Sequence, residues 1–228
     1  MSPDFPNLLS PAFLTFSTCP LNPTADPSST ASPNQTAPGE ARKTYLLATI
    51  SQNMTLSTTP TFICTDSASA SFALTIILES PLTPAQLEGS VNGNSGGDGH
   101  DFDIKKLKKG HTVVVPNPRR HGVREGKQGY VRCVWGDLTI IPASLDKLLG
   151  MSERFIKARE SIEENSRGDL VICHSCERKD SEEQLSRCKG CSEVWYCGKE
   201  CQIKGWNEQG HKSECKVLKT VCNMDLND

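Results

Sequence analysis

From Phe72 to Leu78, large apolar side chains recur at every second position: Phe72, Leu74, Ile76 and Leu78 stand between Ala73, Thr75 and Ile77. A period of two is that of a strand with one face buried. Val131, Cys133 and Trp135 alternate in the same way with Tyr130, Arg132 and Val134, and Gly136-Asp137 separates them from Leu138-Thr139-Ile140-Ile141. Val113 and Val115 lie in a further apolar run that ends at Pro116-Asn117-Pro118, while Tyr45 to Ile50 and Thr61 to Thr65 are weaker strand candidates. The stretch Gly89 to Gly99 holds five glycines and reads as a loop or an insertion between strands. Ser144 is placed to cap a short helix carrying Leu145, Leu148 and Leu149. Ser152 is placed to cap a second, running to about Ser166 and ended by Gly168.

These patterns divide the chain. Residues 1–42 are expected to be a disordered tail, because residues 1–40 hold eight of the fourteen prolines, many Ser and Thr, and no Lys or Arg. Leu8, Leu9, Phe13, Leu14 and Phe16 interrupt that composition and suggest either a short docking motif or a strand-like piece packing on the next domain. Residues 43–149 form a small β domain, and five or six short strands with glycine-marked turns suggest a barrel. Residues 150–168 read as a helical linker and 169–220 as a separate C-terminal module.

Charge changes the picture in one place. The chain carries a net charge of −2, yet residues 105–132 hold nine basic residues (Lys105, Lys106, Lys108, Lys109, Arg119, Arg120, Arg124, Lys127 and Arg132) against Glu125 alone. On a β domain such a cluster either tracks the phosphates of a single strand or forms a solvated edge that keeps strands from pairing. A single-strand groove also needs stacking aromatics, and only Tyr130 and Trp135 are near in sequence. Trp135 shares its parity with Val131 and Cys133 and is assigned to the core.

The densest chemistry lies further on, in Cys173-x2-Cys176-x11-Cys188-x2-Cys191-x5-Cys197-x3-Cys201-x9-His211-x3-Cys215. Structural Zn²⁺ takes four Cys or His ligands, so eight ligands in four close pairs imply two ions. The aliphatic content between the pairs is too small for a core, and metal must supply the missing stability. A disulfide framework needs an oxidising compartment. With no Lys or Arg before Arg42, no leader of the charged type is expected. No apolar run approaches the eighteen or so residues that span a bilayer. The expectation is an intracellular protein, in nucleus or cytoplasm, that does not enter a membrane.

The order of these ligands resembles the MYND zinc finger. The resemblance rests on the two Cys-x2-Cys pairs, on Tyr196 before Cys197-x3-Cys201, and on His211-x3-Cys215 after Trp206. It implies an interleaved, cross-brace arrangement. Cys173, Cys176, Cys197 and Cys201 would hold one Zn²⁺, and Cys188, Cys191, His211 and Cys215 the other. His174, inside the first pair, is expected to turn its ring away from the metal, and Cys222 is a spare thiol. Cys64 and Cys133 are ordinary core residues. The β domain is weakly similar to an OB fold, through the hairpin-like stretch Cys64 to Ile76 and the glycine-led run Leu107 to Val115.

Function follows from charge and from the family resembled. Between Cys173 and Cys215 seven Lys/Arg face eight Asp/Glu. With seven thiolates and two zinc ions the holo finger carries about −4, which phosphate repels. The MYND family is known mainly for protein recognition, with grooves that take short proline-containing peptides. Trp195, Tyr196 and Trp206 are the aromatics available for such a groove. MYND fingers also occur inside SET-type lysine methyltransferases. Thirteen residues follow Cys215 and no cofactor motif of that class precedes Cys173. Both zinc sites are saturated by protein, leaving no open position for Lewis-acid chemistry. The expected function is a non-enzymatic adaptor or regulator that recruits proteins through its finger. The alternative is a nucleic-acid-associated regulator whose β domain binds single-stranded DNA or RNA.

Overall fold

The computed structural model describes residues 5–22, 43–82, 102–163 and 170–224. They fall into two compact units, one spanning Pro11–Ile140 and the other combining Met1–Ser10 with Ile141–Leu226. The glycine-rich stretch Gly89 to Gly99, residues 23–42 of the expected tail, and the helix end expected at Ser166–Gly168 lie outside the described residues.

The first unit is a sheet. Its strands are β1 (Phe13–Leu14), β2 (Tyr45–Asn53), β3 (Thr61–Asp66), β4 (Ser71–Ile77), β5 (Thr112–Pro116), β6 (Arg120–His121), β7 (Tyr130–Val134) and β8 (Thr139–Ile141). They run in the order β6-β7-β4-β3-β2-β5-β8, with β1 added to β2. β2, β3 and β4 form an antiparallel meander, β5 lies antiparallel on β2, and β7 joins β4 in parallel. The alternation seen in the sequence is the burial pattern: Phe72, Leu74 and Ile76 of β4 and Val131 and Cys133 of β7 share one core with Ile50, Phe62 and Val113. Burial pushes the thiols of Cys64 and Cys133 up to about 12, so both behave as small core side chains. The expected closed barrel is not found among the described strands, whose order leaves β6 at one end and β8 at the other. A fully paired barrel would require those ends to meet.

The tail expectation fails for residues 5–22. Phe16 is buried and stacks on Phe72 with ring centroids 4.7 Å apart, and Cys19 is buried beside it. Composition alone underestimated this segment, because a few large apolar groups with a polar anchor outweigh the proline content locally. The anchor is Asp66, buried at the end of β3. One carboxylate oxygen accepts the Phe16 amide at 2.6 Å, and the other accepts those of Ala68 and Ala70 at 3.0 and 2.8 Å. Asp66 thus shapes the β3–β4 turn, where Ser69 has φ of 61°, and fastens the N-terminal segment to it.

In the second unit, α1 (Leu145–Glu163) is one continuous helix where two were expected. Ser144 does stand at its start, its hydroxyl 3.4 Å from the Lys147 amide. Gly150 in its middle costs about 1 kcal/mol of propensity, which burial of Leu145, Leu148, Met151 and Phe155 on one face outweighs. Ser152 is therefore not a cap. Its hydroxyl donates to the Pro6 carbonyl and accepts the Leu8 amide, both at 3.0 Å. Phe5, equally buried, stacks on Phe155 at 5.2 Å, and Arg159 donates to the Phe5 carbonyl. Among the described residues no helix is long and apolar enough to cross a membrane.

Asp66→Ala removes three hydrogen bonds to a buried carboxylate and should destabilise the β unit by about 2–4 kcal/mol. Urea unfolding followed through the β-unit signal measures this, and a loss below about 0.5 kcal/mol would show that Asp66 anchors nothing.

Candidate metal centre

Two hairpins of the same design carry the first four ligands. β9 (Leu170–Ile172) pairs antiparallel with β10 (Lys179–Ser181), and β11 (Ser186–Arg187) with β12 (Trp195–Tyr196). In the first, the chain turns at Cys173–Cys176, where the Cys173 amide donates to Arg178 and the Glu177 amide returns to the Cys173 carbonyl. In the second, the Cys188 amide donates to Val194 and the Ser192 amide returns to the Cys188 carbonyl. Glu177 and Ser192, each one residue past the second cysteine, take left-handed φ values of 60° and 64°. That conformation curls both thiols of a Cys-x2-Cys pair towards one point. The His174 amide joins the hairpins by donating to the Trp195 carbonyl at 2.8 Å.

Helices carry the other four. Cys197 follows β12, and Cys201 lies in the first turns of α2 (Lys199–Asn207). His211 opens α3 (His211–Cys222) and Cys215 follows one turn later on the same face. Gly205 lets α2 approach the second hairpin, since a Cβ there would lie 2.6 Å from the Tyr196 ring. Gly190 has a similar role at the metal site itself. A Cβ on it would sit 2.7 Å from the Cys215 sulfur.

The structure brings the eight ligands together in two interleaved groups. Cys173, Cys176, Cys197 and Cys201 have their sulfur atoms within 4.8 Å of one another, and so do the ligand atoms of Cys188, Cys191, His211 and Cys215. Within them, Cys176–Cys197 and Cys197–Cys201 are 3.6 and 3.4 Å apart, and Cys188–Cys215 is 3.9 Å. Tetrahedral zinc with bonds of about 2.3 Å holds its sulfurs about 3.8 Å apart, so both cages fit Zn²⁺. His211 offers Nε2, 3.2 Å from the Cys188 sulfur. His174 and Cys222 fall outside both groups, as expected. The His174 ring lies edge-on to Tyr196 at 6.0 Å and to His211 at 5.4 Å.

The protonation pattern suits a divalent cation. For Cys173 burial acts upwards, but backbone amides of Cys176, Cys197 and Ser175 prevail and bring the thiol down to about 7. Cys188 is lowered in the same manner by the amides of Cys191 and Gly190 acting against burial. Their neighbours go the other way. Burial first, then the Cys188 and Cys215 thiolates, raise Cys191 to about 12, and hydrogen bonds to Cys201, Cys176 and Cys173 raise Cys197 likewise. Cys173 and Cys188 are therefore favoured as thiolates, while Cys191, Cys197, Cys201 and Cys215 resist charging until a cation compensates it. His211 is held neutral by burial, its pKa lowered to about 4, as a ligand imidazole must be.

Around the cages sequence reasoning missed two supports. Arg154 of α1 donates to Glu214 of α3 at 2.8 Å, beside the ligand Cys215, and Phe5 and Leu8 pack into the same unit. The spacing Leu145, Leu148, Met151, Phe155 was the available signal for the helix face. Nothing in the sequence tied the N-terminal residues to it. The Arg187 guanidinium lies 4.4 Å over the Trp195 ring, which takes that ring out of contention as an exposed contact, since Trp195 is buried.

Two zinc ions per chain should be found by elemental analysis, falling to about one in Cys197→Ser and in Cys188→Ser. Gly190→Ala should weaken the Cys188 site selectively, because the new methyl group collides with a ligand sulfur. Equal zinc retention in Gly190→Ala and wild type under a chelator series would contradict that packing.

Residues 173–215 match the family described as MYND finger. A SET and MYND domain-containing protein of Dictyostelium discoideum is 42% identical over 55 residues, which are 22% of this chain and 10% of that protein. The match spans about a tenth of that relative's length. Ligand order, interleaved geometry and family agree: residues 173–215 are a MYND-type zinc finger holding two Zn²⁺.

Proposed function

We propose that this protein is a non-catalytic adaptor or regulator whose finger recruits partner proteins through short proline-containing peptides. The observation that supports it is the outer face of α2. Gln202, Ile203 and Trp206 are exposed there, Ile203 by half and Trp206 by 38%, while the zinc ligands lie behind them. A rigid, partly exposed Trp next to an exposed aliphatic group and an amide is the composition of a peptide hot spot. MYND fingers generally mediate protein–protein interaction. The finger's negative charge disfavours nucleic acid at this site. The relative with a SET domain aligns over 55 residues, a tenth of its own length, so its name adds support for the module and none for methyl transfer.

The test is an array of short proline-containing peptides probed with the zinc-loaded full chain. Trp206→Ala and Gln202→Ala should each weaken binding at least tenfold, about 1.4 kcal/mol, with both zinc ions retained. Because the Trp206 ring stands 5.7 Å from His211, zinc content must be measured in the same samples. Release of zinc from Trp206→Ala would assign that residue to the core instead.

A further inference from the structure

The β6–β7 hairpin puts its side chains on two faces. Arg120 is opposite buried Val131 and turns inward: its guanidinium lies 5.6 Å over the Phe16 ring, and its Nε donates to the Cys19 carbonyl. His121 is opposite Tyr130 on the outer face, and the two rings stack with centroids 5.7 Å apart and planes 23° from parallel. Tyr130 is 36% exposed. Gly122, at φ of 63°, makes room for the stack, since a Cβ there would lie 2.9 Å from the Tyr130 ring.

Two positive charges share this face. Arg132 follows Tyr130 by two residues, so it points the same way. Exposed Arg119 directly precedes β6, and exposed Arg132 lies two residues beyond Tyr130 on β7. Partial burial lowers the His121 pKa first, and Arg132 and Arg119 lower it further, so both guanidinium groups act on that ring. Among the described residues neither Arg119 nor Arg132 makes an ion pair. Two like charges acting on one ring repel each other. A bound anion would relieve that repulsion.

The surroundings extend the surface, with Glu79 beside Arg132 at its far end and Glu125 in the turn as the acids at its margins. Ala73 and Thr75 of β4 are level with Tyr130 and Arg132 and keep that part of the sheet low. Residues 119–132 as a whole carry five Lys/Arg against Glu125, in a chain whose net charge is negative. We infer that the outer face of β6, β7 and β4 is a docking surface for single-stranded nucleic acid, with a base stacked on the Tyr130–His121 pair and phosphates on Arg119 and Arg132. An exposed flat ring takes a base of any identity, and guanidinium groups pair bidentately with phosphate. A peptide of Asp and Glu would satisfy the charges but leave the ring pair without a partner. The surface belongs to the β unit and stands independently of peptide binding by the finger.

The experiment is fluorescence anisotropy of a labelled mixed-sequence single strand with the zinc-loaded full chain, at about 50 and 200 mM salt. Four cations near the rings (Arg119, Arg132, and Arg124 and Lys127 in the turn) set a log–log slope of at most about 3, at roughly 0.7 per phosphate. The expected loss over that fourfold rise in salt is thus up to about 50-fold. Tyr130→Ala should weaken binding about tenfold and Tyr130→Phe should restore it, because stacking needs the ring and not the hydroxyl. Arg119→Glu with Arg132→Glu should remove measurable binding and leave the unfolding midpoint of the β unit intact. No saturation by about 100 µM protein at the lower salt would overturn the inference. So would binding that is indifferent to Tyr130→Ala, or equal affinity for poly-glutamate of matched charge, which would mark a patch for polyanions in general. Loss of strand binding in Cys197→Ser, with Tyr130 variants unaffected, would assign it to the finger and overturn it equally.

Discussion

Coordination of zinc by clustered thiolates is the interaction on which the C-terminal unit depends. The two hairpins and two short helices between Leu170 and Cys222 bury few large apolar side chains: Val171, Leu185, Val194, Trp195 and Tyr196 among the ligand pairs, and Val217, Leu218 and Val221 on α3. Val194, Trp195 and Tyr196 are buried between the ligand pairs because the ligands hold the strands there. Amides aimed at Cys173 and Cys188 prepare one thiolate in each cage, and the cation draws the remaining thiols into the charged form. Metal and fold are therefore one equilibrium, and the exposed face of α2 exists only on its far side.

The β unit solves its stability problem by different means. A shared core of alternating strand residues is completed by Phe16 and Cys19 from upstream, and one buried carboxylate fastens that segment to the β3–β4 turn. The same economy recurs in the second unit, where the Ser152 hydroxyl holds the backbone of Pro6 and Leu8. In both cases a single side chain satisfies backbone groups of a proline-containing stretch that forms hardly any ladder of its own.

How far these features could be read in the sequence depended on their range. The period of two in Phe72–Leu78 and Tyr130–Val134 was visible because strand burial repeats over neighbouring positions. The eight ligands were visible because coordination fixes residue type as well as spacing. Asp66 and Ser152 were not, since a polar side chain bonding to backbone fifty or more than a hundred residues away leaves no local pattern. The continuity of α1 through Gly150 was hidden for a related reason: propensity is local, while the burial that overrides it is tertiary. Tyr130 was legible as a strand residue but β6 was not, and the stacking of Tyr130 on His121 required the pairing register of β6 with β7. The barrel was inferred from strand number, glycine-marked turns and a likeness to an OB fold, none of which determines whether the ends of a sheet meet.

The interleaving of the ligand pairs also constrains the order of assembly. The first cage closes the chain from Cys173 to Cys201, and the Cys188–Cys191 pair of the second cage lies within that loop. Filling it pre-orders half of the other cage. Only the distance from Cys191 to His211 is then left to be closed against chain entropy, a shorter span than a free chain would face. An ion captured first at either cage thus raises the effective concentration of the remaining ligands around the second. Two beads on a string would load independently; two linked rings do not.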